Sequence, residues 1–213
     1  MAFTETQVTS SRGRLDKRRA ILDAALRVFG EVGYPGATVD AIAAEAGVAK
    51  PTIYNHLGGK ENLFRAVMLD AAGDWHARPL AAVRSLPAEP GNLRDELLRV
   101  GYQLVECMRS DRAWMMRRLL DSEVARFPEL YEEVQLRGSA EVLDTLAGRL
   151  ALVANGGLLD LPDPTRAASQ FMALVSDRLA VLAAMGTRPL AQSVVDETVT
   201  SGVETFLRAF ATR

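Results

Sequence analysis

Apolar residues recur at helical spacing along almost the whole chain, and no stretch alternates apolar and polar residues over the length of a strand. The first predicted helix covers about residues 16–32. Gly33, Tyr34, Pro35 and Gly36 then break the helical pattern. The apolar face of this first helix contains Ile21, Leu22, Ala25, Val28, Phe29 and Val32.

Two short helices and one long helix are predicted next. Thr38 is a good N-cap for the first short helix, which Gly47 ends. The second opens at Lys50, and Pro51 is tolerated there because a first-turn residue needs no N–H partner. Gly58 and Gly59 stop this helix, and a long fourth helix begins near residue 60.

The remainder of the chain also reads as helical. Three prolines within residues 79–91 predict a loop, and helices are predicted at about 92–108, 111–126, 128–154, 165–186 and 190–211. The predicted fold class is all-α, with about nine helices. We expect a flexible basic arm at 1–14, a three-helix DNA-binding head at 15–61, and a helical ligand-binding and dimerisation body at 62–213.

Composition adds bounds to this picture. The 213 residues are 48% hydrophobic, which is ample for a core, and no apolar run reaches the length that spans a bilayer. The polar start of the chain lacks the apolar stretch of a secretory signal, which predicts a cytoplasmic protein. A single cysteine, Cys107, excludes an intramolecular disulfide framework.

Charge is distributed unevenly along the chain. Residues 1–65 contain nine Lys and Arg against seven Asp and Glu, a net charge of +2. The whole chain has a net charge of −2, so residues 66–213 carry a net charge of −4. Five of these basic residues lie within residues 12–19. A mildly basic head on an acidic body is typical of a DNA-binding protein that has a second function, although the basic run alone fits a solvated helix end equally well.

Residues 38–57 have the proportions of a helix-turn-helix, in which Ile42, Val48 and Ile53 fix the crossing of the two short helices. Such a motif holds its second helix rigidly so that it can enter a DNA groove. The predicted exposed positions carry hydroxyl, ammonium and amide groups, which suit contacts with phosphates and base edges. These positions are Lys50, Thr52, Tyr54, Asn55 and His56.

The segment TVDAIAAEAGVAKPTIYNHL at 38–57, followed by KENLF at 60–64, resembles the DNA-binding head of the tetracycline-repressor (TetR) family. The upstream segments ILDAA at 21–25 and FGEVGY at 29–34 also match that family, so the resemblance covers about residues 15–66. Two positions differ: Leu57 stands where the family usually has Phe, and Gly58-Gly59 replaces a more polar turn.

The resemblance implies roles for individual residues. Thr38, Tyr54, His56 and Lys60 are expected to contact phosphates, and Lys50, Thr52 and Asn55 are candidates for base edges, with Pro51 beside them. Arg12 and Arg14 of the basic arm are expected to enter a minor groove or to lie along the DNA backbone. Tyr54 as a core aromatic and His56 as a packing residue are the alternatives. Affinity should fall steeply with salt.

The last two predicted helices carry apolar stripes that could bury each other within one chain or pair with a second copy as a four-helix bundle. The resemblance implies the second arrangement, a homodimer that presents two recognition helices about one DNA turn apart. Small residues such as Ala180, Ala183, Ala184 and Gly202 would allow close helix approach. The expected interface residues are Phe171, Leu174, Val175, Leu179, Leu182, Val195, Val199, Val203, Phe206 and Phe210.

Soft apolar side chains between the head and these helices predict a pocket for a small hydrophobic effector, although the same residues fit a plain core. The candidates are Tyr102, Met108, Trp114, Met115, Phe127 and Met172. The segment 127–130 also resembles one subgroup of the family. Cys107 fits inert packing better than a redox sensor.

The sequence contains few features that indicate an enzyme active site. The two histidines, His56 and His76, have no metal-ligand spacing, and neither a nucleophile elbow nor a phosphate-binding loop is present. No cofactor, metal or membrane contact is expected. The sequence therefore predicts a homodimeric repressor that binds operator DNA and that an effector releases, with an activator, an effector-independent DNA-binding protein or a helical adaptor as alternatives.

Overall fold

The computed structural model describes residues 5–212 of the chain, and it describes the side chains of residues 16–73, 75–176 and 178–212. The chain divides into two compact units. The head unit contains the chain up to Ala72 together with Leu119–Leu130. The body unit contains Gly73–Arg118 together with the chain from Tyr131 onward.

Four helices begin the chain: α1 (Glu5–Gly36), α2 (Val39–Glu45), α3 (Lys50–Leu57) and α4 (Lys60–Arg84). The first helix begins at Glu5 rather than near residue 16. The break predicted at residues 33–36 is confirmed, because Gly33 leaves the helical region with φ 70° and ψ 169°. A backbone with positive φ favours glycine, which has no Cβ to clash.

The later helices are α5 (Leu93–Met108), α6 (Asp111–Ser122), α7 (Pro128–Tyr131), α8 (Gly138–Asn155), α9 (Pro164–Leu182) and α10 (Gln192–Phe210). A π-helical segment, Glu132–Arg137, joins α7 to α8 without a break. Counted as one interrupted helix, these three segments give nine helices in residues 5–212, which contain no strand. The predicted all-α fold with about nine helices is confirmed. Within this range no helix has both the length and the apolarity needed to cross a membrane.

The prediction of a loop from Pro79 is wrong for its first six residues, because α4 continues through Pro79 to Arg84. Proline inside a helix removes one backbone hydrogen bond at a cost of about 3 kcal/mol. The continued helix buries Val83, and the residues that follow it bury Leu86. Each such apolar side chain contributes about 1.5–3 kcal/mol when fully buried, so burial offsets the lost hydrogen bond.

The core of the head unit centres on four aromatic rings, which we call the aromatic cluster: Phe29, Tyr34, Phe64 and Phe127. The ring of Phe64 lies 5.0 Å from those of Phe29 and Tyr34 and 5.2 Å from that of Phe127, measured between centroids. Such close aromatic pairs add stabilisation beyond their buried area. The structure therefore places Phe127, a candidate for the effector pocket, in the core of the head.

The core of the body unit is formed by α5, α8, α9 and α10. The apolar stripes of α9 and α10 pack within the single chain, and Phe171 and Phe206 meet edge to face with centroids 5.3 Å apart. Three of the ten residues expected at a dimer interface, Leu174, Leu182 and Phe210, keep partial exposure. The other seven are core residues whose surface is already buried: Phe171, Val175, Leu179, Val195, Val199, Val203 and Phe206.

Gly202 lies where α10 approaches the backbone of α9. A Cβ at this position would lie 2.6 Å from the carbonyl oxygen of Leu174, so Gly202→Ala should lower the free energy of unfolding by about 1–3 kcal/mol through overpacking. Gly148→Ala is the matched control, because Gly148 lies on α8 with no atom within 4 Å of an added Cβ. It should raise stability by about 0.5–1 kcal/mol. Thermal and urea unfolding of both variants would measure these changes, and equal effects would contradict the close approach.

Candidate functional site

The turn between α2 and α3 is fixed by local contacts. Thr38 Oγ1 accepts a hydrogen bond from the Ala41 N–H at 3.1 Å, which confirms the predicted N-cap. Gly47, with φ 64°, turns the chain between the helices. Ile42 and Ile53 are fully buried beneath them, so α3 is held rigidly against the head. This geometry is that of a helix-turn-helix.

The outer face of α3 is polar and accessible. Ile53 is its buried residue, whereas Tyr54 has 48% of its surface exposed and is therefore not a core aromatic. Asn55 and His56 are exposed beside it, as are Lys50 and Pro51 at the start of the helix, and Thr52 is half-buried. The residues proposed from the sequence thus occupy one projecting helix, where they can reach the edges and phosphates of a nucleic acid.

Lys50 is tethered to α2 in the free protein. Its Nζ donates to the Asp40 carboxylate at 2.9 Å. This hydrogen bond, together with the negative charge of Asp40, raises the pKa of Lys50. Lys50 therefore stays protonated throughout the neutral range, and any contact of its ammonium with DNA would compete with this ion pair.

Neutralising Asp40 should strengthen DNA binding. The Asp40→Asn substitution removes a carboxylate close to the DNA-facing helix and frees the Lys50 ammonium, so we expect affinity for DNA to rise a few-fold and its salt dependence to steepen. Fluorescence anisotropy at several salt concentrations would measure both. Glu31→Gln makes the same charge change at an exposed position on α1 and should have the smaller effect. Weaker binding by Asp40→Asn would show that Asp40 positions Lys50 instead.

Lys60, at the start of α4, also has partners in the free protein. Its Nζ donates to the Pro35 carbonyl oxygen at 3.2 Å and lies 4.5 Å from the centroid of the Tyr34 ring. Contact of Lys60 with phosphate stays a prediction, as do the roles of Arg12 and Arg14, whose side chains lie outside the described residues.

A largely apolar cavity of about 160 Å³ lies within the body unit, which we call the body cavity. Of the predicted pocket residues, Met108 and Met172 line it. Trp114 lines a neighbouring cavity of about 80 Å³, and Tyr102 lines an open surface hollow of about 450 Å³. Met115 is half-buried on α6 and lines none of these three.

Sequence reasoning missed most of the side chains around the body cavity. The aromatic side is formed by Trp75 and His76 of α4, and Gln135 and Ser139 add polar groups. The adjacent Trp and His in a helical pattern were an available signal. Gln135 and Ser139 could not be placed from regular helical spacing, because the π-helical segment has a widened turn that changes which residues share a face.

Cys107 is buried on α5. Burial raises the pKa of its thiol, against a smaller opposing effect of Arg78. A thiol with a raised pKa forms less thiolate at neutral pH, which favours a packing role over a redox role. Among the residues that the structure describes, no group of three or more side chains is arranged to hold a metal ion.

Comparison with known families matches both parts of the chain. Residues 21–67 match the bacterial regulatory proteins of the tetR family, and residues 95–212 match the C-terminal domain of AefR-like transcriptional repressors. The second match alone covers more than half of the chain.

Individual relatives agree with these matches. The chain is 36% identical over 115 residues to an uncharacterized HTH-type transcriptional regulator of Mycobacterium tuberculosis. The aligned residues make up 54% of this chain and 52% of that protein. It thus spans about half the length of this relative. It is 29% identical over 163 residues to the HTH-type transcriptional repressor AcnR of Corynebacterium diphtheriae, covering 68% of this chain and 84% of that protein.

A solved structure covers nearly the whole fold. A TetR-family transcriptional regulator from Mesorhizobium loti superposes with a TM-score of 0.84 and 26% identity, over 93% of this chain and 98% of the other. Family and fold are those of transcriptional regulators and not of enzymes. With its helix-turn-helix and its exposed polar helix α3, the chain belongs to the TetR family of bacterial DNA-binding transcriptional regulators.

Proposed function

We propose that this chain is a repressor that binds a specific operator as a homodimer and leaves it when a small hydrophobic effector binds the body. The observation that carries the proposal is the outer face of α3, which offers exposed Tyr54, Asn55 and His56 on a rigidly held helix. The match of residues 95–212 to AefR-like repressors supports repression over activation.

DNA contact would use two kinds of group. Tyr54 and His56 would donate to phosphates, whereas Asn55, Thr52 and Lys50 would read base edges in the major groove. Because phosphate contacts release counterions from DNA, affinity should fall steeply as salt rises. Lys50 would first leave Asp40, which adds a modest cost to binding.

Dimerisation would use the outward faces of α9 and α10, since most of the apolar stripe is already buried within the chain. Val181 on α9 has 79% of its surface exposed, and it lies seven residues after Leu174, on the same side of the helix. A contiguous apolar surface of this kind is typical of an interaction site. Leu174, Leu182 and Phe210 are partly exposed on these same two helices. A second copy packed there would form a four-helix bundle and place two α3 helices for a two-fold operator.

The effector would bind in the body cavity. Binding changes operator affinity only if the effector prefers the conformation that does not bind DNA. Couplings between such sites are typically about 1–3 kcal/mol, which corresponds to roughly a 5- to 150-fold change in affinity.

The test is binding of the purified full chain to DNA that flanks its own gene, titrated against salt and nonspecific competitor DNA. We expect tight binding that falls with salt, resists competitor and involves two chains per operator. Competitor-sensitive binding both to this DNA and to any site selected from a random library would contradict a sequence-specific function. The same titration with a compound bound in the body would test release, and unchanged affinity would refute it.

A further inference from the structure

We propose that the body cavity takes a single aromatic ring bearing an oxygen substituent, and that Met108 sets this size limit. The inference rests on the proposed effector site and specifies its ligand class. It depends on three features of the body unit: the volume of the cavity, the chemistry of its lining, and a second cavity behind Met108.

The volume restricts the ligand. The body cavity measures about 160 Å³. An apolar cavity of about 150 Å³ inside a protein admits benzene, so a single ring with a small substituent fills a space of this size. The cavity is partly open to solvent, so the second ring of a fused system would lie in the opening or displace packed side chains. Overpacking costs of about 1–3 kcal/mol correspond to a roughly tenfold or greater loss of affinity, and we expect a loss of that size for fused rings.

The lining favours an aromatic ring over an aliphatic chain. Trp75 and His76 lie stacked on one side, with ring centroids 5.2 Å apart and planes 25° from parallel. Met108 and Met172 also line the cavity. Aromatic rings pack favourably against other rings and against the polarizable sulfur of methionine.

An oxygen substituent on the ring has partners at the polar part of the lining. Gln135 from the π-helical segment and Ser139 from the start of α8 both reach the cavity. The amide of Gln135 and the hydroxyl of Ser139 can each donate a hydrogen bond to a ligand oxygen or accept one from a ligand hydroxyl. Between them in sequence, Gly138 passes so close to His76 that an added Cβ would overlap the imidazole, which fixes this part of the wall.

Met108 lies where the body cavity meets the neighbouring cavity of about 80 Å³. Its side chain lines both, together with Arg117, and Trp114 lines only the smaller of the two. Removing the Met108 side chain beyond Cβ would widen both spaces where they meet, beside Arg117. Met108→Ala should therefore accept a second fused ring that the natural protein excludes.

The experiment uses the full chain labelled with 5-fluorotryptophan. The chain has two tryptophans, and one lines each cavity, so two fluorine signals report separately on them. The probes are 4-methylphenol, toluene and 2-naphthol. We expect the natural protein to bind 4-methylphenol at least about tenfold more tightly than 2-naphthol, with a shift of the Trp75 signal, and to bind toluene more weakly.

The variants test the role of Met108. Met108→Ala should bring the two affinities within a few-fold and let 2-naphthol shift the Trp114 signal as well. Met115→Ala removes the same side chain from a half-buried position that lines neither cavity, and it should keep the natural preference. If Met108→Ala does not fold, the preference of the natural protein still decides the size limit.

Three results would overturn the inference: equal affinity of the natural protein for one-ring and two-ring probes, equal affinity for toluene and 4-methylphenol, or no shift of the Trp75 signal by any probe. Operator binding is measured in parallel without probes. A protein that binds its operator but none of the rings refutes only this ligand class. Loss of specific DNA binding while the rings still shift Trp75 refutes the proposed function instead.

Discussion

Replacing Tyr54 and His56 together by alanine is expected to weaken operator binding at least about a hundredfold. A hydrogen bond to a charged group contributes about 1.5–3 kcal/mol, and each 1.4 kcal/mol corresponds to a factor of ten. Two such phosphate contacts on α3 therefore give a hundredfold loss. Titration of labelled operator DNA would measure it. The free energy of unfolding should change by less than about 0.5 kcal/mol per substitution, because both side chains are exposed.

Tyr102→Ala is the control for this double variant, since it removes a tyrosine from α5 in the body unit. It should leave operator affinity within a few-fold of the natural protein. If the double variant bound operator as tightly as the Tyr102 control, α3 would not be the recognition helix, whatever the shape of the motif.

Replacing Phe64 by alanine is expected to lower the free energy of unfolding by about 3–5 kcal/mol. Phe64 is fully buried and contacts the rings of Phe29, Tyr34 and Phe127. Its removal leaves a cavity at the centre of the aromatic cluster, and the neighbouring rings cannot close it without losing their own contacts. Calorimetry would detect the change as a lower melting temperature of the transition that includes the head.

Leu69→Ala is the matched control on the same helix, α4. Leu69 is 41% exposed, so its removal leaves no enclosed cavity and should cost far less than the removal of Phe64. Similar losses of stability for the two variants would contradict the central place of Phe64 in the head. Operator binding by the Phe64 variant should fail at temperatures where the natural protein still binds.

The sequence predicted most of the helices and the helix-turn-helix because their signals are local. Thr38, Gly47 and Gly58 act on their own neighbours, through a side-chain cap in the first case and through positive φ in the other two. The burial of Ile53 and the exposure of the opposite face of α3 follow from the helical spacing of apolar and polar residues. Such features need no information about distant parts of the chain.

Features that depend on tertiary contacts were harder to predict from the sequence. The helix through Pro79 persists because residues distant in sequence bury Val83. The environment of Phe127 follows from contact with Tyr34 and Phe64, which the periodicity of its own segment does not encode. The sequence left open what covers the apolar stripes of α9 and α10, because an apolar helix face can pack against its own chain or against a second copy.

The most direct test of the central claim is unbiased selection of binding sites from random DNA by the purified chain. We expect enrichment of one sequence with two-fold symmetry, whose half-sites are centred about one helical turn apart, and no enrichment by the Tyr54 and His56 double alanine variant. Failure to enrich any sequence, or equal enrichment by the natural protein and the variant, would contradict operator recognition through α3.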